Sequence, residues 1–178
     1  MITLDGNSLT IKKCEQIMNG VNVSIAESAI DKVNISHKAV ERIVAEGKAV
    51  YGITTGFGLF CNVLIDKDKT NELQINLIRS HAVGVGTPFD KEITRLMLVL
   101  RANALLKGHS GVRIEVIEQL IMLVNMNIYP VVPCKGSLGA SGDLAPLSHL
   151  ALPLIGEGFV RKSFLSIRRK KSTQNAGS

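Results

Sequence analysis

The run Gly136-Ser137-Leu138-Gly139-Ala140-Ser141-Gly142-Asp143 sets one hydroxyl, that of Ser141, between two of the smallest residues. Three familiar chemistries are open to such a glycine-rich stretch, and the residues argue against each. A phosphate-cradling loop needs a lysine where Asp143 stands. A nucleophile elbow needs glycine two places after its serine, and that place is again Asp143. A dinucleotide fingerprint needs a preceding strand within a βαβ unit, and none is evident. A fourth chemistry is open to it. Glycine lets the backbone fold so sharply that the Gly142 nitrogen can approach the carbonyl carbon of Ala140. Closure there, with loss of the Ser141 hydroxyl, makes a methylidene-imidazolone, an electrophile built from the chain itself. The plain alternative is a flexible turn before a helix, with Asp143 well placed near the helix N-terminus.

Two further residues carry usable chemistry. Tyr51 lies in a glycine- and threonine-rich stretch, and His81 continues the stripe of Leu73 and Leu77 one turn on. Taken singly, Tyr51 reads as a half-buried surface residue and His81 as a satisfied core histidine. His37, His109 and His149 have no companion at metal-ligand spacing, so no metal is assigned.

Four stretches together change that balance. Ala140-Ser141-Gly142-Asp143-Leu144-Ala145-Pro146-Leu147-Ser148-His149 resembles the signature of the aromatic amino acid ammonia-lyase family. Tyr51-Gly52-Ile53-Thr54-Thr55-Gly56-Phe57-Gly58 is similar to a second family motif. The stretches from Asn76 to Gly86 and from Arg101 to Gly111 resemble two more, in the family's order. The resemblance implies that Ala140, Ser141 and Gly142 form the methylidene-imidazolone, with no pyridoxal phosphate and no metal. It implies that Tyr51 is the base taking the substrate's β-proton, that His81 faces the substrate side chain, and that Asp143 supports ring formation or fixes the turn. The pair Ser80-His81 favours L-histidine as substrate and urocanate as product. Tyrosine or phenylalanine lyases and aminomutases of the same family are the alternative, as is a non-catalytic remnant. The family's assembly is a homotetramer.

The proposed base sets an energetic requirement. An ordinary tyrosine phenol, with a pKa near 10, is only about 1% ionised at pH 8, a cost of roughly 2.7 kcal/mol. A helix N-terminus returns at most about 2 kcal/mol, so other positive groups or hydrogen bonds must help.

The elements that would position these groups read as mainly helical. Ile2-Thr3-Leu4 suggests a short strand, and Ser8 or Thr10 a cap for a helix ending at Asn19-Gly20. Ser36 opens a clearer helix bearing Val40, Ile43 and Val44 on one face and stopping at Gly47. Residues 50–62 read as a loop and 70–82 as a helix. Thr87-Pro88-Phe89-Asp90 looks like a helix start, followed by a stripe of Ile93, Leu96, Met97, Leu100 and Ala104. Ser110 is expected to cap a helix running through Val116, Leu120 and Val124. Residues 130–139 should be irregular, and Asp143 opens a last apolar segment, 144–155, broken near Pro153. Strands and helices do not alternate, which argues against a doubly wound sheet. The expectation is therefore a mainly α fold: the N-terminal part of the ammonia-lyase helical fold, with short N-terminal strands and a glycine-rich active-site loop.

Charge divides the chain. The 178 residues carry a formal net charge of +6. Residues 1–158 hold equal numbers of basic and acidic side chains, so the whole excess lies in Arg161, Lys162, Arg168, Arg169, Lys170 and Lys171. The domain reading is an ammonia-lyase segment, 1–158, and a basic tail, 159–178, expected to be disordered and not to match the family. Family chains are longer, so this one reads as an N-terminal portion, inactive or very weak alone. The tail has little aromatic interleaving, which disfavours a nucleic-acid partner. No uninterrupted apolar run reaches about 18 residues and no secretory signal is visible, so neither a membrane nor secretion is expected. Cys14, Cys61 and Cys134 are widely spaced and odd in number, reading as free thiols in a reducing, cytoplasmic setting.

Overall fold

The computed structural model describes residues 1–55 and 70–162. Gly56-Phe57-Gly58, Cys61 and the tail beyond Lys162 therefore lie outside the described residues.

The chain opens with β1 (Ile2–Leu4), α1 (Ile11–Met18), β2 (Val23–Ile25) and α2 (Glu27–Glu46). After the undescribed stretch come α3 (Thr70–His81), β3 (Val85–Pro88), α4 (Lys91–Leu105) and α5 (Ile114–Asn125). The last elements are β4 (Ile128–Pro130), β5 (Pro133–Lys135), α6 (Leu144–Ala151), a 3₁₀ turn (Leu152–Ile155) and β6 (Val160–Lys162). The fold is mainly α, as the sequence predicts. The strands form three separate pairs: β1 with β2 in parallel, β3 with β5 and β4 with β6 antiparallel.

The core forms where α4 and α5 pack on α1, α2 and the first strand pair. Leu4, Ile17, Val33, Leu98, Val99, Ile117 and Val124 are all essentially inaccessible to solvent. Arg95 is buried among them, at 1% exposure, with no carboxylate partner among the described residues. Its guanidinium instead donates to carbonyl oxygens: Nε to Ile17 at 2.7 Å, Nη1 to Val124 at 2.7 Å and Nη2 to Val21 at 2.9 Å. Two of these carbonyls belong to the last turns of α1 and α5, where unpaired acceptors and the negative dipole end both favour a cation.

Several local expectations hold. Thr10 caps α1 by accepting from the Lys13 amide at 3.3 Å. Gly47 ends α2 in the left-handed region at φ 66°, a conformation that glycine adopts without steric cost. Leu73, Leu77 and His81 form one half-buried stripe on α3.

Others are corrected. The second long helix begins at Glu27, nine residues before Ser36, because Ala29 and Val33 extend the apolar face upstream. Ser36 lies inside the helix, where its hydroxyl accepts from the Gly111 amide at 2.9 Å. Thr87 and Pro88 do not start a helix; they end β3, and α4 begins at Lys91. The stripe expected on α4 is not its core face: Ile93, Leu100 and Ala104 are exposed and Leu96 and Met97 only half-buried, while Thr94, Arg95, Leu98, Val99, Ala102 and Leu105 face the core. Both faces of this helix are apolar enough to be buried, and Arg95, with carbonyls to satisfy it, selects the other one. Arg113, not Ser110, precedes the first turn of α5. Residues 130–139 are not wholly irregular, since β4 ends and β5 begins there, with Pro130 and Pro133 at strand ends that need no amide donor. Val160–Lys162, the start of the segment expected to lack structure, pairs with Ile128–Pro130.

Candidate active site

The tripeptide lies in an exposed loop between β5 and α6. The chain bends through residues 139–142, with Gly139 at φ 93° and Gly142 at φ 69°. Both values lie in the left-handed region, where a side chain is strained. A Cβ on Gly142 would meet only Ser137 Oγ, at 3.9 Å. The bend, the small residues and the open space fit a backbone that closes on itself at Ala140-Ser141-Gly142. Asp143 then occupies the N-cap position of α6, and its carbonyl accepts from the Leu147 amide at 2.9 Å. The Asp143 side chain makes no capping hydrogen bond. It faces an open cavity of about 250 Å³, shared with Met97, Leu100, Arg101, Ala104 and Leu147. Met97, Leu100 and Ala104 of α4 thus lie beside the N-terminus of α6.

His81 is the last residue of α3 and is half-buried. Its Nδ1 lies 2.9 Å from the Leu77 carbonyl, which assigns the hydrogen to Nδ1 and leaves Nε2 as the ring's acceptor. The Ser80 hydroxyl donates to the same carbonyl at 2.9 Å. Arg79 forms a two-pronged pair with Glu157, donating from Nε at 2.9 Å and also from Nη2, which ties α3 to the turn after α6. That partner raises the Arg79 pKa and lowers that of Glu157.

Tyr51 stands on a separate turn, residues 51–54, with its side chain 63% exposed. Thr54 braces this turn: its Oγ accepts from the Val50 amide at 2.9 Å and donates to the Lys48 carbonyl. Gly56-Phe57-Gly58, which follow in the sequence, lie outside the described residues.

The His81 and tripeptide segments meet at Gly84. This residue follows α3 and precedes β3, which pairs with β5 just upstream of the tripeptide. The Gly84 amide donates to Nε2 of His149 on α6 at 2.9 Å. A Cβ on Gly84 would stand 3.0 Å from that nitrogen, and one on Gly136 would stand 2.9 Å from Gly84 Cα. Burial pushes the His149 pKa down, which favours the neutral ring that this hydrogen bond requires. Metal-ligand spacing does not reveal this role of His149; its signal in the sequence is its place in the same motif as the tripeptide. Among the described residues, no group of three His, Cys, Asp or Glu is placed to hold a metal ion. Nor is any helix there long and apolar enough to cross a membrane.

Comparisons with known proteins place the chain in a family. The family described as aromatic amino acid lyase matches residues 9–177. Histidine ammonia-lyase of Halalkalibacterium halodurans is 60% identical over 158 residues, covering 88% of this chain and 31% of that protein. The Bacillus subtilis histidine ammonia-lyase is 56% identical over 161 residues, 90% of this chain and 32% of its own length. Among solved structures, histidine ammonia-lyase from Trypanosoma cruzi superposes with a TM-score of 0.81 at 39% identity, covering 90% of this chain and 30% of that one. An ergothionase from Treponema denticola superposes at 0.87 with 32% identity, over 91% of this chain and 33% of its own. The chain spans about a third of the length of the curated relatives it matches.

Proposed function

Because the chain belongs to the aromatic amino acid lyase family, we propose that its residues form part of an enzyme eliminating ammonia from L-histidine to give urocanate. The observation that carries this reading is the bent, open tripeptide Ala140-Ser141-Gly142, preceded by Gly139, at the N-terminus of α6.

The tripeptide's own chemistry balances simply. The Gly142 nitrogen bonds to the Ala140 carbonyl carbon. That carbonyl oxygen leaves as water with the amide hydrogens of Gly142 and Ser141. Ser141 then loses its hydroxyl and its Cα hydrogen as a second water, leaving the exocyclic methylidene. Once formed, the ring supplies an electrophile for the substrate's amino group, which makes nitrogen a better leaving group and takes the electron-sink role of a pyridoxal cofactor.

The remaining roles fall to side chains. Tyr51, as phenolate, takes the β-proton. His81 offers Nε2 to the N–H of the substrate imidazole, because its Nδ1 hydrogen is committed to Leu77. Asp143 places a negative charge beside the tripeptide at the dipole-favoured end of α6. The 54–60% identity to histidine ammonia-lyases favours histidine over tyrosine or phenylalanine. The assembly proposed is a homotetramer in a reducing, cytoplasmic setting.

The reading is tested by measuring ammonia release from L-histidine, L-tyrosine and L-phenylalanine with the protein and its Ser141→Ala variant. The comparison is read as the ratio of release between the protein and its variant. A preference for histidine that vanishes in the variant supports the reading. A preference for tyrosine or phenylalanine, or equal release by the variant, contradicts it.

A further inference from the structure

We propose that His149 is a positioning residue for ring closure, its Nε2 fastening the two chain segments that flank the tripeptide to one point, Gly84. This inference rests on the reading of Ala140-Ser141-Gly142 given above.

Three observations converge on that point. Downstream of the tripeptide, α6 carries His149, whose Nε2 accepts from the Gly84 amide at 2.9 Å. Upstream, Gly136 approaches so closely that an added Cβ would stand 2.9 Å from Gly84 Cα, and β5 pairs with β3 directly after Gly84. Gly84 itself has no room for a side chain, being enclosed by His149 and by Pro133 Cβ at 3.2 Å from the Cβ it would carry. The loop from Gly136 to Asp143 is thus pinned at both ends to the same residue, with an exposed middle. Pinning shortens the span the loop must cover and favours a bend over an extended path. Condensation demands such a bend, since the Gly142 nitrogen must come against the Ala140 carbonyl carbon. Effective concentration in a pre-bent segment lowers the entropic part of that barrier.

The side chain's chemistry suits the task. A neutral imidazole presents an acceptor at Nε2 from a rigid ring. A glutamine in the same place can present its amide oxygen at similar reach, whereas leucine fills the space without accepting. His149 touches neither substrate nor reacting atoms in this account; it acts through the Gly84 amide. Because α3 ends three residues before Gly84, the same bond also holds the His81 segment against the loop.

The test follows ring formation in the full chain made by cell-free synthesis. Intact mass is recorded over time for wild type, His149→Gln and His149→Leu, with helix content by circular dichroism. Wild type and His149→Gln should lose two waters at the same pace. His149→Leu should lose them about fivefold more slowly, as expected for one missing neutral hydrogen bond. Equal rates in all three, or His149→Gln as slow as His149→Leu, overturns the inference. Should His149→Leu lose its helix content, His149→Gln decides alone: wild-type pace supports the inference and a slowed pace overturns it. A wild-type protein that never loses the waters overturns the tripeptide reading and the inference together. Condensation that ignores His149 overturns only the inference.

Discussion

Nη1 of Arg95 donates to the carbonyl of Val124 at 2.7 Å, joining the middle of α4 to the last turn of α5. The same nitrogen reaches Asn127 Oδ1 at 3.1 Å and Tyr129 Oη at 3.2 Å, so one buried cation serves α1, α5 and β4. Replacing it with an apolar side chain strands several buried acceptors. Arg95→Met should lower unfolding free energy by at least about 3 kcal/mol, read from urea melts. A loss under 1 kcal/mol would mean that water or a shifted backbone satisfies those carbonyls without it.

The two faces of α4 give a second expectation. Leu98 is wholly buried and Leu100 is 47% exposed, although they stand two residues apart. Leu98→Ala should cost about 2–5 kcal/mol, the range for a fully buried leucine. Leu100→Ala should stay within about 0.5–1 kcal/mol, as for a half-exposed position. The reverse order would restore the stripe expected from periodicity.

Two glycines, one upstream of the tripeptide and one within it, differ in kind. Gly136→Ala places a Cβ 2.9 Å from the Gly84 backbone at φ 123°, so backbone must move. At Gly142, φ 69° strains alanine but no atom lies within 3.9 Å. Gly142→Ala should therefore cost only about 1–2 kcal/mol, the left-handed penalty alone, and Gly136→Ala more. Thermal melts of the two variants rank them directly.

His149 gives the fold an acid limb. Its folded pKa is lowered from the ordinary histidine value of 6.5, because burial penalises the charged ring. The unfolded chain then binds the proton more tightly, so stability rises with pH across that window. The contribution is complete above about pH 6.5 and is lost as pH falls through that value towards the lower folded pKa. Carboxylates act at lower pH: backbone amides of Ser8 and Asn7 hold Asp5 at about 2, and the Arg79 partner lowers Glu157. Melting temperatures of wild type and His149→Gln should agree at pH 8 and diverge by pH 5.5, with the variant flatter. Parallel curves would place the protonation elsewhere.

Much of the candidate site was legible because its motifs are local. The tripeptide, Asp143 and the α3 stripe ending in His81 each sit within one short run, and short runs carry their own turn and helix signals. What escaped were relationships across distance. The face that α4 buries depends on carbonyls of α1 and α5 that accept from Arg95, which periodicity within α4 does not encode. The strands at Val85–Pro88 and Pro133–Lys135 exist only as a pair, so neither alone displays strand character. His149 gained its role from an amide 65 residues away. The helix start at Glu27 is different, since its signal lies locally in Ala29 and Val33, and the serine at Ser36 imitates a cap inside the helix.

The account turns on whether Ala140, Ser141 and Gly142 condense. Intact mass of the purified protein, followed by fragmentation across residues 136–148, reads this without needing turnover. The account predicts a mass short of the encoded value by two waters, with the whole deficit confined to residues 140–142 and absent in Ser141→Ala. A folded wild-type protein at full encoded mass, with three ordinary residues at those positions, would contradict it.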